Sequence, residues 1–249
     1  MKLGVGNMEF VLIDLQKVID SGRMDYDFFS PNQKGIFDSI NVDFTKNKLD
    51  NVCLMVNTGK TAPRNSYPEN GVRIIKVKNV GGNGIKWDEK FYISEEFYEK
   101  AKKKSRVQIG DILMLCAAHN KSYIGRCDII DSFPEEVLKD DSKCCCVGEL
   151  IIIRSNPEKV NPEYLFSFLK LPLVQEQIIR MVKGQSAHLY PKDLKKLDII
   201  LPSKPVQEEI AKLNRNAQIE FKNKIKDATD TLSKVKKEIS ELIINGKKK

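Results

Sequence analysis

From Val206 to Ile244 the chain runs for 39 residues without a proline or glycine, and Asn245-Gly246 then supplies a stop signal. At about 1.5 Å per residue this stretch is a helix of about 58 Å. Apolar residues recur along it at Ile210, Leu213, Ala217, Phe221, Ile225, Ala228, Leu232, Val235, Ile239 and Leu242, spaced 3-4-4-4-3-4-3-4-3. That is a heptad seam with a stutter near Phe221. Alone, such a helix would hold a long apolar stripe in water. The pattern predicts coiled-coil-like packing against a second copy or another subunit, or else a helix folded back on its own domain.

The preceding residues are long enough for a core of their own, with 41% of the 249 residues hydrophobic. Their pattern is mixed. Val72–Val80, Val107–Leu115 (split by Gly110-Asp111), Tyr123–Ile130 and Cys144–Arg154 have strand character. Ser94 is placed to cap a helix with Glu95 and Glu96 in its first turn and Lys102–Lys104 in its last, an order matching the helix dipole. Asn161-Pro162 opens another helix, Pro172 restarts it and Gly184 ends it. Thr58–Gly71 and Lys183–Tyr190 are loops. The predicted fold is α+β: a mixed α/β domain with a twisted sheet over residues 1–204, followed by the long C-terminal helix in residues 205–249.

The formal charge is +8, and half of that excess lies in Val206–Lys249. A basic balance favours polyanionic partners. No apolar run approaches the roughly 18 residues a membrane span needs, and Glu9 and Asp14 bracket the short apolar stretch at Phe10–Ile13, unlike a signal peptide. The expected location is the cytoplasm. Six cysteines without a C-x-x-C pair, three of them consecutive (Cys144, Cys145, Cys146), accord with reduced buried thiols. Successive strand residues face opposite ways, so the triplet cannot converge on one metal ion.

Motifs for catalysis fail one by one. Asn161-Pro162-Glu163-Tyr164 resembles the N-P-P-Y box of amino-group DNA methyltransferases, but its second proline is Glu163 and no glycine-rich turn precedes it. Gly59-Lys60-Thr61 echoes the end of a P-loop, yet Leu54 stands where the first glycine belongs and Pro63 where a helix should begin. Gly81-Gly82-Asn83-Gly84 does not fit G-x-G-x-x-G, and Asp141-Ser142-Lys143 lacks an upstream acid for a nuclease site. With two histidines, His119 and His188, the chain is poor material for an enzyme.

A set of segments, in order, resembles one family. Ser21–Phe29 is similar to an R-L-D-A-x-Y-Y opening, Thr58–Pro63 to a T-G-x-T-P loop, and Gly71–Val80 to G-x-x-x-I-x-x-x-x-I. Val107–Leu113 resembles a G-D-I-L strand and Ile124-Gly125-Arg126 its I-G-R partner. Asn161–Leu169 is similar to x-P-x-Y-L-x-x-x-L, Leu194–Pro202 to L-x-x-L-x-I-x-x-P, and Pro205–Ile210 to P-x-x-Q-x-x-I. Together they resemble a target-recognition domain plus conserved helix of the specificity (S) subunits of type I restriction-modification enzymes, in half-length form. Ala117-Ala118-His119-Asn120 departs from the family in lacking a glycine before I-G-R. The family usually carries two recognition domains and two helices, where this chain has one of each.

The resemblance implies a non-catalytic subunit that reads one half of a bipartite site in double-stranded DNA and docks a modification (methyltransferase) subunit. It implies no cofactor on this chain, S-adenosylmethionine on the partner, and a motor-nuclease subunit as a further partner. It implies dimerisation through Val206–Ile244, with itself or with another half subunit, through Ile210, Leu213, Phe221, Ile225, Leu232, Val235, Ile239 and Leu242. Candidates for phosphate contact are Lys60, Arg64, Lys76, Lys78, Lys121 and Arg126. Candidates for base reading are Gln185, Ser186, His188 and Tyr190 in one loop and Asn120 and Ser122 in another, because Gln pairs with adenine and Ser or His with either edge. Two rivals remain: a stand-alone DNA methyltransferase or nuclease fragment, and a coiled-coil scaffold without DNA binding.

Overall fold

The computed structural model describes residues 45–63, 67–101, 105–184 and 187–245, together with Gln16 and Ile19. The Ser21–Phe29 opening, Lys102–Lys104 and Gly246 lie outside these. In chain order the strands are β1 (Thr45–Lys48), β2 (Cys53–Thr58), β3 (Val72–Ile75), β4 (Tyr92–Ile93), β5 (Ile112–Leu115), β6 (Cys127–Ile129), β7 (Cys144–Cys146), β8 (Leu150–Ser155) and β9 (Asp198–Leu201). The helices are α1 (Leu49–Val52), α2 (Glu95–Lys100), α3 (Glu135–Lys139), α4 (Pro162–Leu169), α5 (Pro172–Arg180), α6 (Pro191–Leu194) and α7 (Lys204–Asn245).

A four-stranded antiparallel sheet, ordered β2-β8-β5-β6, forms the middle layer. Side-chain alternation decides what each face meets. Val56, Ile112, Met114, Ile151 and Ile153 point toward α4 and α5 and pack with Leu165, Phe166, Leu169, Val174 and Ile178. Leu113, Leu115, Leu150 and Ile152 point the other way, onto Ile74, Ile75, Ile93 and the three consecutive cysteines. Those belong to a second sheet, β4-β3-β7, in which β3 and β7 run parallel. Covered on both faces, β8 reads as the unbroken run Leu150-Ile151-Ile152-Ile153, as a fully buried strand must. β1 and β9 pair separately, Thr45 against Leu201.

The fold class follows the α+β expectation, while several boundaries move. Cys144–Arg154 is two strands in two sheets, broken by a turn at Val147–Glu149. Val72–Val80 keeps strand geometry only to Ile75 and then closes a 3-10 turn at Val77–Asn79. There the Asn79 carboxamide accepts from the Lys76 amide (2.8 Å) and donates to the carbonyls of Lys86 and Glu89. Tyr123–Ile130 is a strand only from Cys127, because Lys121–Tyr123 forms another 3-10 turn. β2 has no counterpart among the expected strands. The predicted caps form: the Ser94 hydroxyl accepts from the Phe97 amide (3.2 Å), and Asn161 accepts from Glu163 and Tyr164.

Within the G-D-I-L segment, Asp111 is fully buried and receives both Nε and Nη2 of Arg154 at 2.7 Å. Burial pushes its carboxyl above the ordinary range, opposed by the Arg154 guanidinium.

The long helix α7 begins at Lys204, two residues before the expected start. Its first turns lie against α4. Gln207 is buried, accepts from the Asn161 amide (2.9 Å) and donates to the Pro202 carbonyl (2.9 Å). Ala211 is buried beside it, and Arg215 pairs with Glu163. From Ile219 to Ile244 every residue is exposed. Lys222 still reaches Asp131 of the body (3.2 Å), and beyond it, at about 1.5 Å per residue, about 33 Å of helix projects. The helix therefore docks on its own domain at its base only. Of the seam, Ile210 is half-buried against the core, while Leu213, Phe221, Ile225, Leu232, Val235, Ile239 and Leu242 remain in solvent. An apolar groove of about 700 Å³, lined by residues including Phe168, Leu171, Leu173, Val206 and Ile210, opens beside the base of α7.

Candidate nucleic-acid interface

The strands of both main sheets bring their ends to one side of the body. β2, β3, β5 and β7 finish there at Thr58, Ile75, Leu115 and Cys146, and β6 and β8 start from it at Cys127 and Leu150. The loops between them are tied by backbone hydrogen bonds. Lys60 donates to the Cys146 carbonyl (2.9 Å), Val147 to Ile75 (3.0 Å), Cys116 to Glu149 (2.9 Å) and Leu189 to Cys116 (2.8 Å). Ala117 also bridges to His188. The segments proposed from sequence for base reading thus meet at Ala117 and His188 although about 70 residues separate them in the chain.

Each candidate side chain has a definite setting. Lys60 is exposed, with its ammonium 5.3 Å from the Phe97 ring centroid. Lys78 is exposed on the 3-10 turn. Lys121 and Ser122 are exposed on the other, whose cap is Asn120, its side chain accepting from the Ser122 amide (2.9 Å). Arg126 is exposed and stacks on Tyr123, 4.1 Å from the ring centroid. His188 closes a hairpin, its backbone paired in both directions with Lys183, and its ring stacks with exposed Tyr190 at 6.1 Å. Lys76 differs from the rest. It is half-buried, with its ammonium over Tyr67 (3.4 Å) and Phe91 (4.6 Å), and burial holds it below the usual lysine range. Arg64, Gln185 and Ser186 lie outside the described residues.

Sequence reasoning missed a polar group at the middle of this face. Gly59 lies so close to the chain that a Cβ would meet the Cys146 carbonyl oxygen at 2.2 Å. This contact turns the loop so that the Thr61 hydroxyl accepts from the Gly148 amide (2.8 Å) and donates to Glu149 Oε2 (2.7 Å). Thr61 and Glu149 are 88 residues apart, so no local pattern could have paired them. The Tyr123–Arg126 stack, by contrast, was available from its three-residue spacing.

The motifs that resembled catalytic elements are taken up by structure. The Asn161 carboxamide oxygen caps α4, and the Tyr164 hydroxyl is buried on the Ile200 carbonyl (2.7 Å). The amides of Gly81, Gly82 and Gly84 all donate to the buried Asp128 carboxylate at 2.7–2.8 Å, so this anion-binding nest is filled by the chain itself. Asp141 and Ser142 form a turn at positive φ, and Lys143 pairs with Glu95. Among the described residues, no group of three His, Cys, Asp or Glu side chains is placed to hold a metal ion. Likewise no helix there is long and apolar enough to cross a membrane.

The family model of the type I restriction modification DNA specificity domain matches residues 41–239. The chain belongs to this family. It is similar to the specificity subunit of the type I restriction enzyme MjaVIII of Methanocaldococcus jannaschii, with 25% identity over 239 residues, covering 94% of this chain and 52% of that one. Three solved structures share the fold. One is a chain from a study of complex assembly and conformational transition of the type I R-M system (TM-score 0.53, 14% identity, 92% of this chain and 50% of that chain). The others are the HsdS subunit of Thermoanaerobacter tengcongensis (0.51, 17%, 76% and 40%) and the S subunit of M. genitalium (0.50, 16%, 79% and 44%). This specificity domain spans about half the length of the relatives it matches.

Proposed function

We propose that this chain is a non-catalytic DNA-reading subunit of a type I restriction-modification complex. The loop face reads one half of a bipartite site, and α7 carries the contacts that join two halves. The observation that carries this reading is the tying together of the 59–63, 116–126, 147–149 and 187–190 segments at one sheet end, with Lys60, Lys78, Lys121 and Arg126 exposed around amide, hydroxyl and ring side chains. Cations positioned by phosphate and polar groups aimed at base edges are what duplex reading needs.

The exposed part of α7 supports pairing with a second copy. Its seam positions are nearly symmetric about Ala228: Leu232, Val235, Ile239 and Leu242 follow at 4, 7, 11 and 14 residues, and Ile225, Phe221, Ala217 and Leu213 precede at 3, 7, 11 and 15. An antiparallel pair would match each apolar residue with another, and a symmetric dimer would favour a palindromic split site. A methyltransferase subunit that carries S-adenosylmethionine would dock on this scaffold in the cytoplasm, with or without a motor-nuclease subunit. In this reading Lys76 braces the face through its two rings, and the more exposed cations meet phosphate.

Fluorescence anisotropy of the full chain on random-sequence duplex DNA tests the reading. Log affinity should fall linearly with log salt concentration. Absence of salt-dependent binding would leave the scaffold reading instead. Titration calorimetry with S-adenosylmethionine should give no heat from the isolated chain; binding would favour a methyltransferase fragment.

A further inference from the structure

We infer that Glu149 is a base-reading residue, and that it selects an amino group in the major groove, that of cytosine, at one position of the half-site. This deepens the DNA-reading function proposed above and rests on it.

Glu149 is half-buried in the Val147–Glu149 turn between β7 and β8, at the crossing point of the tied loops. Its backbone is fixed from both sides: its carbonyl accepts from Cys116 (2.9 Å), and the next residue, Leu150, donates to Val147 (3.1 Å) and accepts from Gly59 (3.0 Å). Its side chain is fixed as well. Thr61 has one hydroxyl proton, and because its oxygen already accepts from Gly148, that proton is directed to Glu149 Oε2. Oε1 accepts no hydrogen bond among the described residues. The carboxylate is thus held by one oxygen and open at the other, on a face that also carries the cations Lys60, Lys76, Lys78, Lys121 and Arg126; the Asp193 carboxylate near the 187–190 segment is already paired with Lys183.

A carboxylate there opposes phosphate binding on every sequence, so it gains nothing from the backbone of the duplex. Its compensation is directional. An acceptor-only group pairs with an exocyclic amine and rejects the carbonyl or N7 acceptors that a guanine edge presents, and cytosine N4 is the partner a single acidic side chain takes in the major groove. Lys76, whose ammonium also feels the charge of Glu149, is confined by Tyr67 and Phe91 and makes no ion pair with it among the described residues.

The alternative is a latch that does nothing but hold the 59–63 loop. Glu149→Gln separates the two, because the Gln carbonyl can still accept from Thr61 while its second position becomes a donor. Binding sites would be selected by the full chain from a pool of random duplexes. The wild-type half-site should contain one position where cytosine is favoured about tenfold or more. In Glu149→Gln that preference should disappear or pass to adenine, with the other positions kept. Thr61→Val, which removes the latch and leaves the carboxylate, should keep cytosine with weaker discrimination. A Glu149→Gln motif identical to the wild-type motif overturns the inference and leaves the DNA-reading function standing. Enrichment of no sequence by the wild-type chain overturns both.

Discussion

Asp111 and Arg154 make an ion pair between the start of β5 and the end of β8. Asp111 is fully buried, and both of its oxygens are used by Arg154, with the Gln108 amide adding a third bond (2.8 Å). Asp111→Ala would leave a partly buried guanidinium without its partner. The expected loss is about 3–5 kcal/mol in urea unfolding, far above that of an exposed pair such as Lys100–Glu96. Single residues also decide the redox chemistry. Burial pushes the Cys53, Cys116, Cys127 and Cys145 thiols up to about 12, and Cys144 and Cys146 well above the ordinary thiol value. At pH 8 a thiol of that kind is thiolate on the order of one part in ten thousand. The folded chain should therefore show no fast-reacting thiol with Ellman's reagent, and all six cysteines should react in guanidinium. Rapid reaction of four or more thiols in the native chain would contradict the packing of β7, since only Cys53, Cys116 and Cys127 lie outside it. The G-D-I-L spacing exposed Asp111 to sequence reasoning, yet Arg154, 43 residues away, could be matched to it only in space.

At the scale of elements, the base and the shaft of α7 do different work. Gln207, Ala211 and Arg215 tie the base to α4. The shaft leaves Leu232 62% and Val235 44% exposed, values at which a packed seam is still waiting for its counterpart. If two copies pair, light scattering should give twice the 28.4 kDa chain mass. Leu232→Asp together with Val235→Asp should then return the mass to one chain while the far-ultraviolet helical signal and the body's unfolding transition persist. A monomeric wild type would assign the shaft to a different subunit and remove the argument for a symmetric site. The length and seam of this element were legible from sequence because both are local and periodic. That its first turns rest on α4 was not, since Gln207 and Arg215 in that contact are polar and carry no apolar signal.

For the whole molecule, the arrangement of cations predicts how binding responds to salt. Replacing Lys60, Lys78 and Arg126 by alanine should weaken all duplexes alike and reduce the slope of log affinity against log salt by about 0.9 for each phosphate no longer neutralised. An unchanged slope would move the DNA-binding face elsewhere on the body. The helix caps at Ser94 and Asn161, the stuttered heptad seam of α7, the α+β class and the order of family motifs were all determined by the sequence by itself. These are read from neighbours within about one helical turn or one strand, where propensity and periodicity act. Tertiary structure alone decided that Cys144–Arg154 is shared between two sheets and that the glycines of 81–84 hold Asp128 rather than a ligand. It also decided that Ala117 meets His188 and that Thr61 meets Glu149. The physical reason is the same in each case: a contact across dozens of residues is selected by the packing of both partners' elements, and that packing leaves no trace in the short-range pattern of either segment.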